Sequence, residues 1–413
     1  MPRILQQAPF VALALAVAGC GGGGGSNGNA GAGSKAVNLP FVTVTICVPG
    51  SGVALPPGNV LAMIVDSGPA GAPVPQAQSS ASCQTIDHIL VDTASSGLRI
   101  ISSVLNAPLK NLPPQKIGAD KLAECMVFAD GFSWGSVRLA DVYIAGESAG
   151  SVPIQIIGDP AFPAIPSSCS SLGVEEDTVQ TFGSNGILGV STFAQDCGPL
   201  CQQSASPGSY YICPSSGCQP VSVPTAQQVP NPVTKFTADA NGVVLALPAI
   251  GPSGAASVTG TLTFGIGTQG NNALGGATIF DVDTVFGNFT TVYNGQTFAD
   301  SAFLDSGSNA LYFPDAGIPV CGSNTIAPGF YCPATTLSRS ATNRGYSNAN
   351  SSNVNFSVAN ANSLLSAAST FAAFDNLAAT QQSSFDWGLP FFYGRAVFFA
   401  IEPPSGQGPY VAY

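Results

Sequence analysis

The chain has 413 residues, of which 22 are acidic and 11 basic, giving a formal net charge of −11, with only 8% of residues charged. That balance leaves no basic patch for nucleic acid, so nucleic acid is not expected as a partner. A hydrophobic fraction of 45% over this length is more than one core usually holds, and two lobes are the expected solution.

In chain order, Pro2-Arg3 precedes an apolar run from Phe10 to Val17 and a small-residue site, Val17-Ala18-Gly19, that ends in Cys20. This reads as a lipoprotein signal peptide over residues 1–19, with Cys20 as the lipidated residue. The run is too short to span a bilayer as a helix, and no later stretch reaches the roughly 20 apolar residues that spanning needs. Gly21 follows Cys20, which resembles an outer-membrane address in the bacterial envelope. Residues 20–37 are otherwise Gly, Ser, Asn and Ala apart from Lys35 and Val37, a flexible tether reaching on the order of 20 Å.

Short β-rich runs then dominate: 41–46, 60–65, 126–128, 154–157, 243–247, 257–264 and 290–293, punctuated by 48 glycines and 33 prolines. They argue for an all-β sandwich or barrel class with few short helices. Helical periodicity is convincing only over 362–374. Residues 197–232, rich in Cys, Pro, Ser and Gln, are expected to carry the crossing between an N-terminal lobe (38–232) and a C-terminal lobe (233–413). The polar stretch 340–353 is expected to be an exposed loop.

Ten cysteines remain after Cys20: Cys47, Cys83, Cys125, Cys169, Cys197, Cys201, Cys213, Cys218, Cys321 and Cys332. An even number in an exported chain predicts disulfides. Zinc is the competing use, since Cys197, Cys201, Cys213 and Cys218 could be drawn as a four-thiolate site, but the spacing is only approximate. The expectation is two local bridges there, a third between Cys321 and Cys332, and pairing among the remaining four.

Two segments read alike. Ile89-Leu90-Val91-Asp92-Thr93-Ala94-Ser95 and Ala302-Phe303-Leu304-Asp305-Ser306-Gly307-Ser308 each run an apolar strand into an aspartate followed by hydroxyl and small residues. Two carboxylates brought together in this way cannot easily both ionise, so one can act as base and the other as acid without metal or cofactor. Here the chain resembles the pepsin-like aspartic peptidases, which carry one Asp-Thr/Ser-Gly-Ser/Thr motif in each half of a bilobal double β-barrel. Further markers follow in order: Phe128 to Ile144, similar to the family's flap hairpin and the next strand; Asn185-Gly186-Ile187-Leu188-Gly189-Val190, similar to the segment closing the loop around the first aspartate; Gly260 to Gly265; and the closing strands from Trp387 to Tyr413. A narrower resemblance is to an uncharacterised group of bacterial pepsin-like lipoproteins.

The resemblance implies that Asp92 and Asp305 hold the nucleophilic water. It further implies that Thr93 and Ser306 brace the opposing loops, and that Ser95 and Ser308 bond the outer carboxylate oxygens. Phe128, Asp130, Gly131 and Trp134 would belong to the flap. Two residues depart from the pattern. Ala94 stands where the family has glycine, a substitution costing on the order of 1–3 kcal/mol if that position needs a left-handed backbone. Phe128 stands where it has tyrosine, and Trp134 is a candidate to supply the missing donor.

Three other motifs carry less. Gly146-Glu147-Ser148-Ala149-Gly150 matches a nucleophile elbow, but that chemistry needs a histidine downstream and the single histidine, His88, lies upstream. Gly265 to Gly270 matches a dinucleotide fingerprint, yet no helix-forming sequence follows, so a turn is expected. His88 reads as a strand residue. The sequence thus predicts a monomeric, membrane-tethered aspartic endopeptidase-like protein acting on an extended peptide or unfolded protein, without metal or cofactor. The rival reading is a non-catalytic protein of the same fold that binds a peptide, glycan or protein partner at the envelope.

Overall fold

The structure is a computed structural model that describes residues 37–52, 57–68, 82–367, 370–404 and 406–413. The signal peptide, Cys20 and nearly all of the tether lie outside the described residues. Among the described residues strand dominates, and the longest helix, Ala361–Ala367, has seven residues. The periodicity that predicted a helix to residue 374 therefore overreaches. Ala372 and Ala373 instead bond the backbone of Ala255, so a sheet-like contact replaces the last turns.

Among the described residues the strands form two hydrogen-bonded sheets, one of 17 strands and one of seven. The larger sheet includes strands from both ends of the chain. Val60–Asp66 pairs antiparallel with Val258–Phe264, so backbone bonding runs across residue 233; Gly242–Leu247 pairs with Arg395–Ala400 in the same sheet. The seven-stranded sheet holds Phe289–Tyr293, Gln296–Leu304 and the strands that follow them as far as Phe385–Trp387. Its edge corrects one expectation. Only 345–350 of the stretch 340–353 form the turn, because Leu337–Arg344 and Ser351–Val358 form an eight-pair antiparallel hairpin. The hairpin turns Ala341 and Val354 inward and leaves most of its Ser, Thr and Asn side chains outward. A half-buried strand of this kind alternates with period two, and polar composition alone hides that period.

All ten cysteines among the described residues are paired: Cys47–Cys83, Cys125–Cys169, Cys197–Cys201, Cys213–Cys218 and Cys321–Cys332. The thiols that could have been drawn as a zinc site are thus two local bridges. Cys47 and Cys83 face each other in register between neighbouring strands.

The core is continuous beneath both sheets. It runs from Val44, Ile46 and Val91 through Leu262 and Phe264 to an aromatic group around Phe313, Phe385 and Trp387. Phe313 and Phe385 stack with ring centroids 5.0 Å apart, and Phe385 lies 4.5 Å from Trp387. Burying side chains of this size contributes roughly 1.5–3 kcal/mol each. That packing holds the ends of the two aspartate-bearing strands rigidly.

Candidate active site

Asp92 is the last residue of the strand Cys83–Asp92, and Asp305 follows immediately on the strand Gln296–Leu304. Each strand is built the same way. Gly186–Val190 lies parallel to the Asp92 strand and antiparallel to Ser96–Ile101, filling the gap between them. In the other sheet, Phe385–Trp387 lies parallel to the Asp305 strand and antiparallel to Leu311–Tyr312. Each inserted strand brings a glycine against the loop that follows the aspartate. A Cβ on Gly189 would lie 2.8 Å from the Ser95 carbonyl oxygen, and one on Gly388 would lie 2.7 Å from that of Ser308. Only a residue without a side chain fits at either place.

Within each loop the bonding repeats. The Ala94 amide donates to Asp92 Oδ1 at 2.8 Å, and the Gly307 amide donates to Asp305 Oδ1 at 2.8 Å. Ser95 Oγ donates to Asp92 Oδ2, and Ser308 Oγ donates to Asp305 Oδ2 at 2.8 Å. The loops then interlock. Thr93 Oγ1 donates to the Leu304 carbonyl at 3.1 Å and accepts from the Ser306 amide at 2.9 Å, while Ser306 Oγ donates to the Val91 carbonyl at 2.7 Å. Asp92 and Asp305 are both buried, at 0% and 1% exposure. Burial, the charge of Asp92 and the charge of Asp386 together push the Asp305 carboxyl well above the usual carboxylate range. A carboxyl so placed keeps a proton that its neighbour can share.

Ala94 is not among the residues with positive φ. The steric cost expected of an alanine in a left-handed position therefore does not arise.

The hairpin residues sit as follows. Asp120–Val127 pairs with Gly131–Ile144 around a tight turn, and the Phe128 amide donates to the Gly131 carbonyl at 2.8 Å. Phe128 is buried in an apolar cluster with Leu90, Phe182 and Ile187, its ring edge-on to Phe182. Trp134 is also buried, and its indole N–H donates to the Phe162 carbonyl at 2.9 Å. That bond takes up the donor that could have replaced a tyrosine hydroxyl. At the tip, Asp130 shares a hydrogen bond with Glu176; burial raises Asp130 to about 6, and burial together with Asp130 raises Glu176 to about 9. The Tyr312 hydroxyl is held well above its ordinary range by burial and by the charges of Asp386, Asp130 and Asp305. The hairpin tip and the aspartate pair therefore share one electrostatic neighbourhood.

The remaining motifs have structural roles. Gly146 lies in the turn between two paired strands and Ser148 lies in the second of them, so no strand-turn-helix elbow exists there. Gly265 and Gly267 have positive φ in a turn. His88 lies between Asp66 and Asp87, at 3.4 and 3.2 Å.

Two features were not anticipated. Arg99, fully buried, pairs with Glu124 at 2.6 Å and Asp196 at 3.2 Å and donates to the Ser96 carbonyl at 2.8 Å, which anchors the Asp92 loop from behind. Asp386 is 5% exposed beside Asp305, on the inserted strand. An acid between Phe385 and Trp387 in a chain this poor in charge was its only signal. A cavity of about 530 Å³ lined by Tyr293, Asp315 and Arg339 shares no residue with the aspartate loops.

A family described as a protein of unknown function (DUF3443) matches residues 72–413. No curated protein matches the chain.

Proposed function

Because the chain belongs to that family, whose description states no activity, we propose from its own site that it is a pepsin-like aspartic endopeptidase, held to a bacterial envelope membrane through Cys20. The reading rests on one observation above all: two aspartates at the ends of equivalent strands, bound by the same pattern of donors and locked to each other through Thr93 and Ser306. A water between the carboxyls would lose its proton to the ionised member and attack the peptide carbonyl. The protonated member would then give its proton to the leaving amine as the tetrahedral intermediate collapses. An extended peptide suits such a site because its backbone can pair with strand edges.

Burial of the pair favours a second reading, in which the same fold binds a partner without cleaving it. Digestion of an unfolded protein mixture from pH 3 to 7 separates the two. The mature chain is compared with Asp92→Asn and Asp305→Asn, with and without a transition-state inhibitor of aspartic peptidases. Cleavage lost in both variants and blocked by the inhibitor supports the peptidase. No cleavage by folded protein at any of these pH values sinks it and leaves the binding protein.

A further inference from the structure

The cavity of about 530 Å³ lies against the polar hairpin of Leu337–Arg344 and Ser351–Val358 and is lined by none of the aspartate-loop residues. Its volume falls within the range of about 300–1,000 Å³ that ligand sites take, but its lining reverses their usual apolar composition. Among the described residues no aliphatic side chain lines it. The Arg339 guanidinium, the Asp315 carboxylate and the Tyr293 phenol do, with hydroxyls and amides that include Ser340 and Asn355. We propose that this cavity is a binding site for a neutral saccharide, separate from the aspartate pair.

The polar groups are fixed before a ligand arrives. Arg339 Nε donates to the Tyr293 hydroxyl at 3.1 Å, and that hydroxyl donates to Asp315 Oδ2 at 2.6 Å. Arg339 Nη1 donates to the Ser338 carbonyl at 3.1 Å, and the Gly317 amide donates to Asp315 Oδ1 at 2.8 Å. Tyr293 is buried and the Asp315 side chain is 5% exposed, so the network is built into the fold. Arg339 Nη2 makes no hydrogen bond among the described residues, and each Asp315 oxygen can accept one bond more. Ser340 and Asn355 are register partners in the hairpin, both exposed, and add an adjoining hydroxyl and amide. A site of fixed donors beside fixed acceptors suits a ligand whose own groups do both, as sugar hydroxyls do, and the early ordering of Arg339 lowers the cost of binding. An anion would meet Asp315, whose Oδ2 lies 3.8 Å from Arg339 Nε and offsets its charge. A peptide would find no apolar pocket for its side chains.

The test is calorimetric titration of the mature chain with glucose, galactose, mannose, N-acetylglucosamine and their β-linked dimers, with glucuronate and inorganic phosphate as anionic probes. It needs no hydrolysis and so stands apart from the peptidase assay. The variants are Arg339→Met, which keeps the apolar stem and removes the donors, Asn355→Ala, and Asp92→Asn. The expected result is that at least one neutral sugar binds the native chain, and that its affinity falls about tenfold or more in Arg339→Met and Asn355→Ala. Asp92→Asn should bind it as the native chain does. Asn355 is exposed, so its variant decides the matter if Arg339→Met does not fold. No binding of any neutral sugar at millimolar concentration overturns the proposal, as does binding that both cavity variants leave intact. Glucuronate or phosphate binding more tightly than every neutral sugar overturns it too, and loss of binding in Asp92→Asn would put the sugar at the aspartate pair instead.

Discussion

Thr93 and Ser306 are joined through the main chain of each other's loops, but unequally. Thr93 Oγ1 both donates to the Leu304 carbonyl and accepts from the Ser306 amide, whereas Ser306 Oγ makes a single bond to the Val91 carbonyl. Both residues are buried, so each lost bond strands a main-chain group without water. Thr93→Val should therefore cost about twice as much stability as Ser306→Ala, at roughly 1–3 kcal/mol per stranded group. Thr93→Ser keeps the oxygen and should be mild. Urea unfolding of the three variants gives the order directly. If the chain hydrolyses peptides, Thr93→Val should also lose on the order of 100-fold in rate, because the carboxyls drift out of line. Equal costs for Thr93→Val and Ser306→Ala would contradict the unequal bonding.

Glu176 and Asp130 make the hairpin tip sensitive to pH. Burial, then Asp130, raises Glu176 to about 9, and burial raises Asp130 to about 6. A carboxyl with a raised folded pKa binds more protons in the folded state than in the unfolded state, where glutamate titrates near 4.3. Stability is then greatest below about pH 4 for this pair and falls as the pH rises through 6 toward 9. Glu176→Gln should flatten that slope and raise the melting temperature at pH 8 relative to the native chain. Amide exchange at Gly131 and Phe132 should slow in the variant at the same pH, since Glu176 sits on the segment that pairs with them. A native melting temperature that stays level from pH 5 to 9 would remove the pair's role.

The bridge Cys125–Cys169 ties the hairpin's first strand to the short helix Ser167–Ser170, closing a separation of 44 residues. A loop of that length makes the bridge worth about 2–4 kcal/mol through the unfolded chain. Removing it as Cys125→Ala with Cys169→Ala should lower stability by that amount and expose the segment 170–176 to proteolysis before the rest. Removing Cys213–Cys218, which spans only five residues, should cost less. Chemical denaturation of the two double variants compares them.

How much of this was legible in the sequence depends on what kind of signal each residue leaves. The aspartate loops were visible because they repeat: two apolar strands ending in Asp with hydroxyls at fixed offsets need no tertiary knowledge to notice. The five bridges followed from an even count and an oxidising destination, although only three partners could be assigned from proximity in the chain. Asp386 and Arg99 were missed because their meaning is entirely spatial. Each is one charged residue in an apolar strand, and only the strand pairing shows what it faces. The hairpin at 337–358 was missed for the opposite reason, since its polar residues hide an inward Ala341 and Val354 spaced by pairing rather than by sequence.

Ala94 supplies the last test, because the sequence and the structure make opposite forecasts for it. Read from the resemblance alone, an alanine where the resembled family carries glycine should strain the loop, and Ala94→Gly should relieve it. In the structure the residue has no positive φ, and its amide already donates to Asp92 Oδ1 at 2.8 Å. Glycine would then add only freedom to the unfolded chain, a loss of about 0.4–1 kcal/mol in stability. Hydrolysis, if present, should change less than about twofold, because the hydrogen bond to the carboxylate comes from the main chain and survives the substitution. Thermal melts and peptide cleavage of Ala94→Gly beside the native chain measure both. A variant that melts higher, or that cleaves tenfold faster, would mean that the methyl group obstructs the site after all.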